Sequence, residues 1–394
     1  MNLLILPILS LTIAQPAPFK DAKVLHTFLW NSDVVFAVAF IGNDKVAAAN
    51  RRGDILIWNL PATGDKTTGP ARRLIGHTGP VNRLLVSPDG KTLISASNDR
   101  TVKFWDALKS EGNPGTIVMN DGYVRAGVTM GVAKIPDPPP PITAKVVEQK
   151  PIREFTGHKE WIWGLALSRD GKTLVSGDEA KQVILSDAQT GAEQRRWKVK
   201  HWVRSLDISP DGKLVVTAEQ FPFIRDGDTD VGLYGWDAQT GEMKFDATKQ
   251  FEASKVLNVG PTSFRFSDNG KYLAFCLGHI DRDGPAGKVF LLNPTTGEKV
   301  RELTPSHVRG ATDLAFHPDG KHLFTCGRDR VVKAWQLSDG AQVHEISLAI
   351  GDKKKQGPFT PTLHAISISP DGKLLAVADS SGQVVVCTLE DRKK

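Results

Sequence analysis

The sequence predicts an all-β repeat protein, and three observations carry that prediction. A four-residue turn of the form Ser-Pro-Asp-Gly recurs in the chain, short segments of alternating apolar residues precede the copies, and no long helical periodicity appears. The six copies begin at Ser87, Ser168, Ser209, Ser267, His317 and Ser369. In the full form of the turn, Pro presets φ, Asp binds nearby backbone amides and Gly adopts a positive φ.

Composition and length agree with a repeat array. The chain has 394 residues, of which 40% are hydrophobic and 24% are charged, and its net charge is +6. These values indicate a globular chain, and a charge this dilute does not by itself indicate a nucleic-acid partner. The three cysteines exclude a disulfide-dense fold, and we expect all three to be free and mostly buried.

The first residues predict export. Residues 3–13 form an uninterrupted apolar run that is too short to cross a bilayer, and Ala14 offers a small residue at a cleavage position. A signal peptide over residues 1–14 is the favoured interpretation, although no basic residue precedes the run and a buried N-terminal strand is the alternative. We therefore expect a periplasmic or extracellular protein.

Two segments share a more specific pattern. From His77, the distances to Ser95, Asp99 and Trp105 are successive steps of 18, 4 and 6 residues, and from His307 the same steps reach a second set. The second set consists of His307, Thr325, Asp329 and Trp335. This pattern resembles the WD40-repeat family, and the chain after about residue 23 resembles exported bacterial members of it.

The resemblance implies a structural role for both sets. In the family, the Trp indole meets the hydroxyl, the hydroxyl meets the His ring, and the ring meets the Asp, so four buried polar groups satisfy one another. A His, Asp and Ser set also suggests a catalytic triad, but the recurrence of the set in a second repeat favours scaffolding. Blade three departs from the pattern, with Ala180 and Ser186 where Asp and Trp are expected, and blades four and five lack the full set.

The resemblance further implies a seven-bladed β-propeller over residues 23–390. The chain ends soon after the third strand of blade seven, so we expect residues 23–28 to supply its outer strand and close the ring. An insertion over residues 107–150, which contains four consecutive prolines, falls between strands c and d of blade two. It is either a solvent-exposed elaboration or a docking element.

A binding rim is expected where the inner strands begin. In the family, the face that carries the d–a and b–c connections is the usual binding face. Residues five and seven places before each turn would lie there, and aromatic and basic side chains are typical of interaction hot spots. The candidates are Asn82, Trp161, Trp163, Trp202, Arg204, Thr312 and His364. A Trp at these places can instead pack between blades.

Two long b–c loops supply a second, weaker candidate site. Alternating carboxylates in residues 219–232 and 278–288 suit a hard cation such as Ca²⁺, but nearby arginines could neutralise them. The candidate ligands are Asp226, Asp228, Asp230, Asp281 and Asp283. A solvated acidic loop is the simpler interpretation, so no metal site is predicted.

These observations predict a non-enzymatic scaffold that binds a protein partner outside the cytoplasm. The sequence lacks the common nucleophile, zinc-protease, haem and phosphate-loop motifs, so we expect no cofactor and no catalytic residues. We also expect a monomer that binds no nucleic acid and has no membrane span. The alternative is a lactonase-like or quinone-dependent propeller enzyme with a metal in the central channel, where His364, Asp207 or Asp313 would be the nearest ligands.

Overall fold

The computed structural model shows an all-β ring of seven sheets, which we call blades. It describes residues 18–30, 34–61, 69–119, 143–220, 231–252, 260–278, 287–348 and 361–390. The predicted signal peptide lies outside these residues. The architecture is the predicted seven-bladed β-propeller, with strands a to d of each blade running from the central channel to the outside.

The first three blades contain the following strands, numbered in chain order. Blade one has β2 (Val35–Ile41), β3 (Lys45–Asn50), β4 (Ile55–Asn59) and β5 (Arg72–Leu74), and blade two has β6 (Val81–Val86), β7 (Thr92–Ser97), β8 (Val102–Asp106) and β11 (Arg153–Phe155). Blade three has β12 (Ile162–Leu167), β13 (Thr173–Asp178), β14 (Gln182–Asp187) and β15 (Glu193–Lys198).

The remaining blades complete the ring. Blade four has β16 (Trp202–Ile208), β17 (Leu214–Gln220), β18 (Val231–Asp237) and β19 (Met243–Asp246), and blade five has β20 (Gly260–Phe266), β21 (Leu273–Gly278), β22 (Gly287–Leu292) and β23 (Lys299–His307). Blade six has β24 (Ala311–Phe316), β25 (His322–Gly327), β26 (Val331–Gln336) and β27 (Gln342–Ser347), and blade seven has β28 (Leu363–Ile368), β29 (Leu374–Asp379), β30 (Gln383–Thr388) and β1 (Lys23–Leu29).

The predicted closure of the ring is confirmed. Strand β1 pairs antiparallel with β30, with Phe28 opposite Val384, so a strand from near the N-terminus forms the outer strand of the last blade. Phe28 is almost completely buried, and its ring lies 5.3 Å from that of Trp58 in blade one. The closing strand therefore also packs against the neighbouring blade.

The insertion forms two further strands on the outside of blade one. Strands β9 (Asn113–Val118) and β10 (Thr143–Gln149) pair with each other, and β10 lies parallel to β5 of blade one. The chain then returns to blade two as β11, which is its strand d. Residues 120–142, which include the four prolines, lie outside the described residues.

A buried arginine connects this region to both blades. Arg72 of β5 donates from Nε to Gln149 Oε1 of β10 at 3.0 Å and from Nη1 to the carbonyl of Ala107 at 2.6 Å. Burial lowers the pKa of this guanidinium, and the nearby Asp106 opposes that shift. These hydrogen bonds attach the insertion, at the C-terminal end of β10, to β5 of blade one and to the residue that follows β8 of blade two.

The recurrent turns join strands a and b of the blades. In blade two, Ser87 Oγ donates to Asp89 Oδ1 at 2.5 Å, Asp89 Oδ1 accepts the Lys91 amide, and Ser87 Oγ accepts the Thr92 amide at 2.9 Å. Gly90 has a φ of 71°, which favours glycine at that place. The same residues that define the repeat in the sequence therefore close each turn.

One short helix, α1 (Lys249–Glu252), precedes blade five. Among the described residues, no helix is long and apolar enough to traverse a bilayer. The three cysteines, Cys276, Cys326 and Cys387, are free and buried, as expected.

Candidate functional site

The polar set in blade two forms one buried chain of hydrogen bonds. Trp105 Nε1 donates to Ser95 Oγ at 2.8 Å, Ser95 Oγ lies 2.7 Å from His77 Nε2, and His77 Nδ1 lies 2.7 Å from Asp99 Oδ2. The indole can only donate and the carboxylate only accepts, so the Ser hydroxyl donates to Nε2 and Nδ1–H donates to Asp99.

Electrostatics favour a neutral ring in this chain. Burial lowers the pKa of His77 and outweighs the opposing hydrogen bond to Asp99. Burial alone would raise the pKa of Asp99, but its bonds with His77 and Thr101 hold that pKa well below the ordinary value. The His77 side chain has no exposed surface, so water and substrate cannot reach the ring.

Blade six repeats this arrangement. Trp335 Nε1 donates to Thr325 Oγ1 at 2.9 Å, His307 Nε2 lies 2.8 Å from Thr325 Oγ1, and His307 Nδ1 lies 3.0 Å from Asp329 Oδ1. In blade two His77 lies in the connection before strand a, whereas in blade six His307 is the last residue of β23, strand d of blade five. The blade-six set therefore also connects two neighbouring blades.

In blade three the carboxylate comes from a position that the sequence pattern does not indicate. The sequence places Ala180 where Asp is expected, but Asp178 Oδ2 lies 2.8 Å from His158 Nδ1, and His158 Nε2 lies 2.6 Å from Ser176 Oγ. Asp178 is the last residue of β13, so its side chain reaches the ring from the strand end. The departure at Ala180 therefore does not leave His158 without an acid.

Blade four replaces both the His and the Asp with one buried glutamate. Trp236 Nε1 donates to Thr217 Oγ1 at 2.8 Å, and Thr217 Oγ1 donates to Glu219 Oε1 at 2.8 Å. Glu219 Oε2 accepts the amides of Lys200 and His201 at 3.0 Å each. Burial raises the pKa of Glu219 to about 7 against these hydrogen bonds. No spacing in the repeat pattern indicates this residue.

The candidate rim residues meet at one end of the channel. A cavity of about 300 Å³ opens where the inner strands begin, and we call it the upper cavity. Its lining includes Asn82, Trp163, Arg204, Thr312 and His364. Two other candidates, Trp161 and Trp202, do not line it, and Trp161 is 46% exposed. Five inner strands therefore present the predicted positions to a single space.

The most developed part of this lining is a tryptophan and arginine pair from blades three and four. The Arg204 guanidinium carbon lies 4.4 Å from the centre of the Trp163 ring and 6.0 Å from that of Trp202. Trp163 Nε1 donates to Glu179 Oε1 at 2.8 Å, and Arg204 lies 3.6 Å from the same oxygen. The indole, the guanidinium and the carboxylate hold one another in place.

The other predicted lining residues differ in what they contact. Asn82 Nδ2 donates to the carbonyl of Ile162, which joins blade two to blade three, and Thr312 Oγ1 donates to the carbonyl of Cys326. His364 packs against Phe36, with 5.7 Å between ring centres. Burial, together with the charge of Arg328, lowers the pKa of His364 to about 4. His364 is therefore neutral at physiological pH.

Sequence reasoning missed several residues of the upper cavity, among them Phe36, Arg83 and Arg328. Phe36 occupies the blade-one equivalent of the predicted positions, but the degenerate turn of that blade hides it. Arg83 immediately follows Asn82, and its guanidinium donates to the carbonyl of Thr262 at 3.1 Å. With Arg204, the described lining includes three arginines and no carboxylate.

Three stretches of the chain match the family model described as WD domain, G-beta repeat, namely residues 69–106, 149–186 and 297–336. These stretches include blades two, three and six up to strand c, the blades in which a buried His meets a hydroxyl and a carboxylate. The fold is a seven-bladed WD40-type β-propeller. The matched stretches and the relatives below support the WD40-repeat family for this chain.

Three relatives extend this comparison. WD repeat-containing protein 1 of Gallus gallus is 25% identical over 364 residues, which are 88% of this chain and 52% of the relative. Actin-interacting protein 1 of Drosophila melanogaster is 35% identical over 26% of this chain and 15% of the relative. Small ribosomal subunit protein RACK1 of Glycine max is 35% identical over 24% of this chain and 28% of the relative.

The chain spans about half or less of the length of these WD40 relatives. WD40 propellers of this kind are typically protein-interaction scaffolds. All three relatives are eukaryotic, so they do not support the expected resemblance to exported bacterial WD40-repeat proteins, which stays a prediction.

The channel carboxylates of this WD40 propeller join neighbouring blades. Asp207 Oδ2 accepts the amide of Phe266 at 2.7 Å, and Asp313 Oδ2 accepts the amide of Ile366 at 3.1 Å. Burial raises the pKa of Asp207 to about 6. Both groups therefore hold neighbouring inner strands together. All five acidic loop candidates lie outside the described residues, namely Asp226, Asp228, Asp230, Asp281 and Asp283.

Proposed function

We propose that this WD40 propeller is a non-enzymatic scaffold whose upper cavity receives an acidic side chain of a protein partner. One observation carries the proposal: the charged side chains in the described lining are Arg83, Arg204 and Arg328, and aromatic rings accompany them. A guanidinium recognises a carboxylate with two parallel hydrogen bonds, and an acidic partner group would compete here with Glu179, 3.6 Å from Arg204, and Asp313, 3.7 Å from Arg83.

The dimensions of the cavity support an anchor residue more than a small-molecule substrate. A volume of about 300 Å³ lies at the lower end of the range for ligand pockets. Such a space holds one or two side chains, while the rest of a partner would spread over the rim. Trp and Arg are enriched among residues that carry most of the energy of protein interfaces, and Trp163 with Arg204 provides that combination.

Two relatives support a role in assemblies. The name of one states an interaction with actin, and the name of another states membership of the small ribosomal subunit. Neither partner is carried over to this chain, because each match covers about a quarter of it. The names support the general role of a docking platform.

A peptide titration tests the cavity directly. A fluorescein-labelled peptide that contains three consecutive glutamates is compared with its glutamine counterpart by fluorescence anisotropy. We expect the acidic peptide to bind more tightly and Arg204→Ala to weaken it at least tenfold, with unchanged circular dichroism. Arg195→Ala, which removes an exposed arginine of the outer strand β15, is the matched control. Equal binding of the two peptides, or no loss in Arg204→Ala, contradicts the proposal.

A cross-linking experiment links the cavity to natural partners. Wild type and the Trp163→Ala/Arg204→Ala variant are used to capture proteins from the native compartment. We expect the variant to lose partners that the Arg195→Ala control retains. Recovery of the same partners by the double variant places the binding site elsewhere on the propeller.

We also propose that the protein acts outside the cytoplasm as a monomer and that its partners are proteins and not nucleic acids. Residues 1–14 support export, as argued from their sequence. Fractionation and N-terminal sequencing test this, with a mature protein beginning at Gln15 as the expected result. Light scattering tests the monomer, and titration with DNA and RNA at low salt tests the absence of nucleic-acid binding.

A further inference from the structure

The turn of blade six differs from the other five turns at two places, and both differences are histidines. The first residue is His317 where the other turns have Ser, and the sixth is His322 where they have Thr, Leu or Tyr. Asp319 lies between them at the usual place of the turn acid. The other turns close without histidine, so the geometry of the turn does not require either ring.

The three side chains point at one another. His317 Nδ1 lies 3.1 Å from Asp319 Oδ1, and His322 Nδ1 lies 2.6 Å from Asp319 Oδ2. The ligand atoms of the three residues all lie within 4.8 Å of one another. A tetrahedral zinc ion with bonds of about 2.0–2.1 Å separates neighbouring ligand atoms by about 3.3 Å, so small side-chain rotations suffice.

The hydrogen bonds around the cluster fix which ring nitrogen of His317 faces the site. His317 Nε2 donates to the carbonyl of Gly372 at 2.9 Å, so Nδ1 is the nitrogen that an ion could use once it is unprotonated. Metal-binding histidines commonly donate their second ring nitrogen to a carbonyl in this way. Asp319 Oδ1 accepts the amides of Lys321 and His322, which leaves Oδ2 directed at the His322 ring.

An ion would replace the contact between His322 Nδ1 and Asp319 Oδ2 and also one backbone hydrogen bond. The amide of Asp319 donates to His317 Nδ1 at 3.2 Å, which is a long hydrogen bond, and an ion at Nδ1 would take its place. On the other side, Phe19 packs edge-on against both imidazoles, with ring centres 5.4 Å from His317 and 5.0 Å from His322. The rings are thus held in place, while Asp319 remains open to solvent with 30% of its side chain exposed.

We propose that His317 Nδ1, Asp319 Oδ2 and His322 Nδ1 bind a divalent cation of the zinc class. Two imidazole nitrogens and one carboxylate suit Zn²⁺ better than the hard cations Ca²⁺ and Mg²⁺, which prefer oxygen ligands. Three protein ligands leave a fourth position, on the exposed side of Asp319, for water or a partner's side chain. For the ion to bind, the Nδ1 proton of His322 moves to Nε2 or leaves to solvent.

The site is independent of the upper cavity. The cluster belongs to the connection between strands a and b, whereas the upper cavity opens where the a strands begin. A failed zinc test therefore leaves the proposed docking function standing, and a failed peptide test leaves the zinc site standing.

Zinc titration of a tag-free protein tests the proposal. The protein is treated with chelator, dialysed and titrated with Zn²⁺ by isothermal calorimetry, and the bound metal is then counted by mass spectrometry. We expect one equivalent with a Kd below about 100 μM, and Co²⁺ in place of Zn²⁺ should give the visible spectrum of a tetrahedral site. A wild-type Kd above this value overturns the proposal.

The decisive comparison uses variants that restore turns the chain already builds. His317→Ser/His322→Thr recreates the residues of blade two, and Asp319→Asn recreates the amide of blade five. We expect affinity for Zn²⁺ to fall at least 100-fold in the first and at least tenfold in the second. His344→Gln, on β27 of the same blade, is the control and should bind as wild type does. Wild-type affinity in a folded first variant, or in Asp319→Asn, overturns the proposal.

Discussion

Asp178 Oδ2 lies 2.8 Å from His158 Nδ1, and neither side chain has any exposed surface. The same carboxylate accepts the amide of Gln182 at its other oxygen, at 2.9 Å. One residue at the end of a strand therefore satisfies both a buried ring and the backbone of the following turn. In blade three, Asp178 therefore does what the acid of blades two and six does, although it lies two residues before the usual position, which Ala180 occupies.

Replacement of this acid should be costly. Asp178→Ala leaves His158 Nδ1 and the Gln182 amide buried without their acceptor, and loss of one partner from such a pair costs about 3–5 kcal/mol. We expect that decrease in the free energy of unfolding, measured by urea denaturation. Ala180→Asp in the same chain supplies an acid at the position used in blades two and six and should recover part of the loss. No recovery would mean that the turn of blade three cannot direct an acid at His158 from that position.

Glu219 should make stability fall as pH rises. Its pKa is about 7 in the folded protein against 4.5 in an ordinary environment, so between these values the folded protein holds a proton that the unfolded chain has lost. The free energy of unfolding then decreases by about 1.4 kcal/mol per pH unit across that window. Glu219→Gln should remove this contribution, which appears as the difference between the slopes of wild type and variant in urea titrations between pH 4 and 8. The exposed Glu242→Gln is the control for loss of one carboxylate, and a wild-type slope retained in Glu219→Gln would contradict the assignment.

His364 should have the opposite effect on the pH dependence of stability, so that its contribution makes the free energy of unfolding rise as pH rises. Its pKa is lowered from 6.5 to about 4, so between these values the unfolded chain binds a proton that the folded protein does not. This contribution to stability is present above pH 6.5 and is lost as pH falls towards 4. It opposes the Glu219 slope between pH 4.5 and 6.5, whereas Asp207, whose pKa burial raises to about 6, adds to that slope. The difference between wild type and His364→Gln isolates it, and an unchanged imidazole signal down to pH 5 in NMR would support it independently.

We expect only the buried face of strand β1 to contribute to the stability of the closed ring. Phe28 of β1 is 1% exposed and packs on Trp58, whereas Leu29, the next residue, is 49% exposed. Phe28→Ala should lower the free energy of unfolding by about 3–5 kcal/mol, and Leu29→Ala should change it by less than about 0.5 kcal/mol. Thermal unfolding of the two variants measures this, and equal effects would show that β1 does not hold the ring closed.

The sequence was sufficient for the architecture because the residues that specify it act locally. Ser87, Asp89 and Gly90 close a turn within six residues, so the same letters predict the same turn wherever they recur. The ring closure was also predictable, since a last blade without an outer strand requires one from elsewhere. The two strands that the insertion adds to blade one were not predictable, because no local sequence pattern indicates which sheet edge a strand will pair with.

The candidate site was predictable where a register fixes it. Trp163, Arg204 and His364 share one offset from their turns, and they meet in one cavity. Glu219 and Asp178 were missed because each performs a familiar role from a different place, which only the path of the backbone reveals. His317 was visible as a departure from the turn pattern, but its proximity to His322 Nδ1 and Asp319 depends on side-chain direction.

The parallel pairing of β10 with β5 makes blades one and two mutually dependent. Blade two cannot receive its outer strand until the chain has first travelled along the edge of blade one and come back. In most repeat arrays each unit can melt at its own end with only its neighbour affected. Here we expect the two blades to unfold as one cooperative unit, so their amide protons should exchange with deuterium together. Partial unfolding should then begin at another part of the ring.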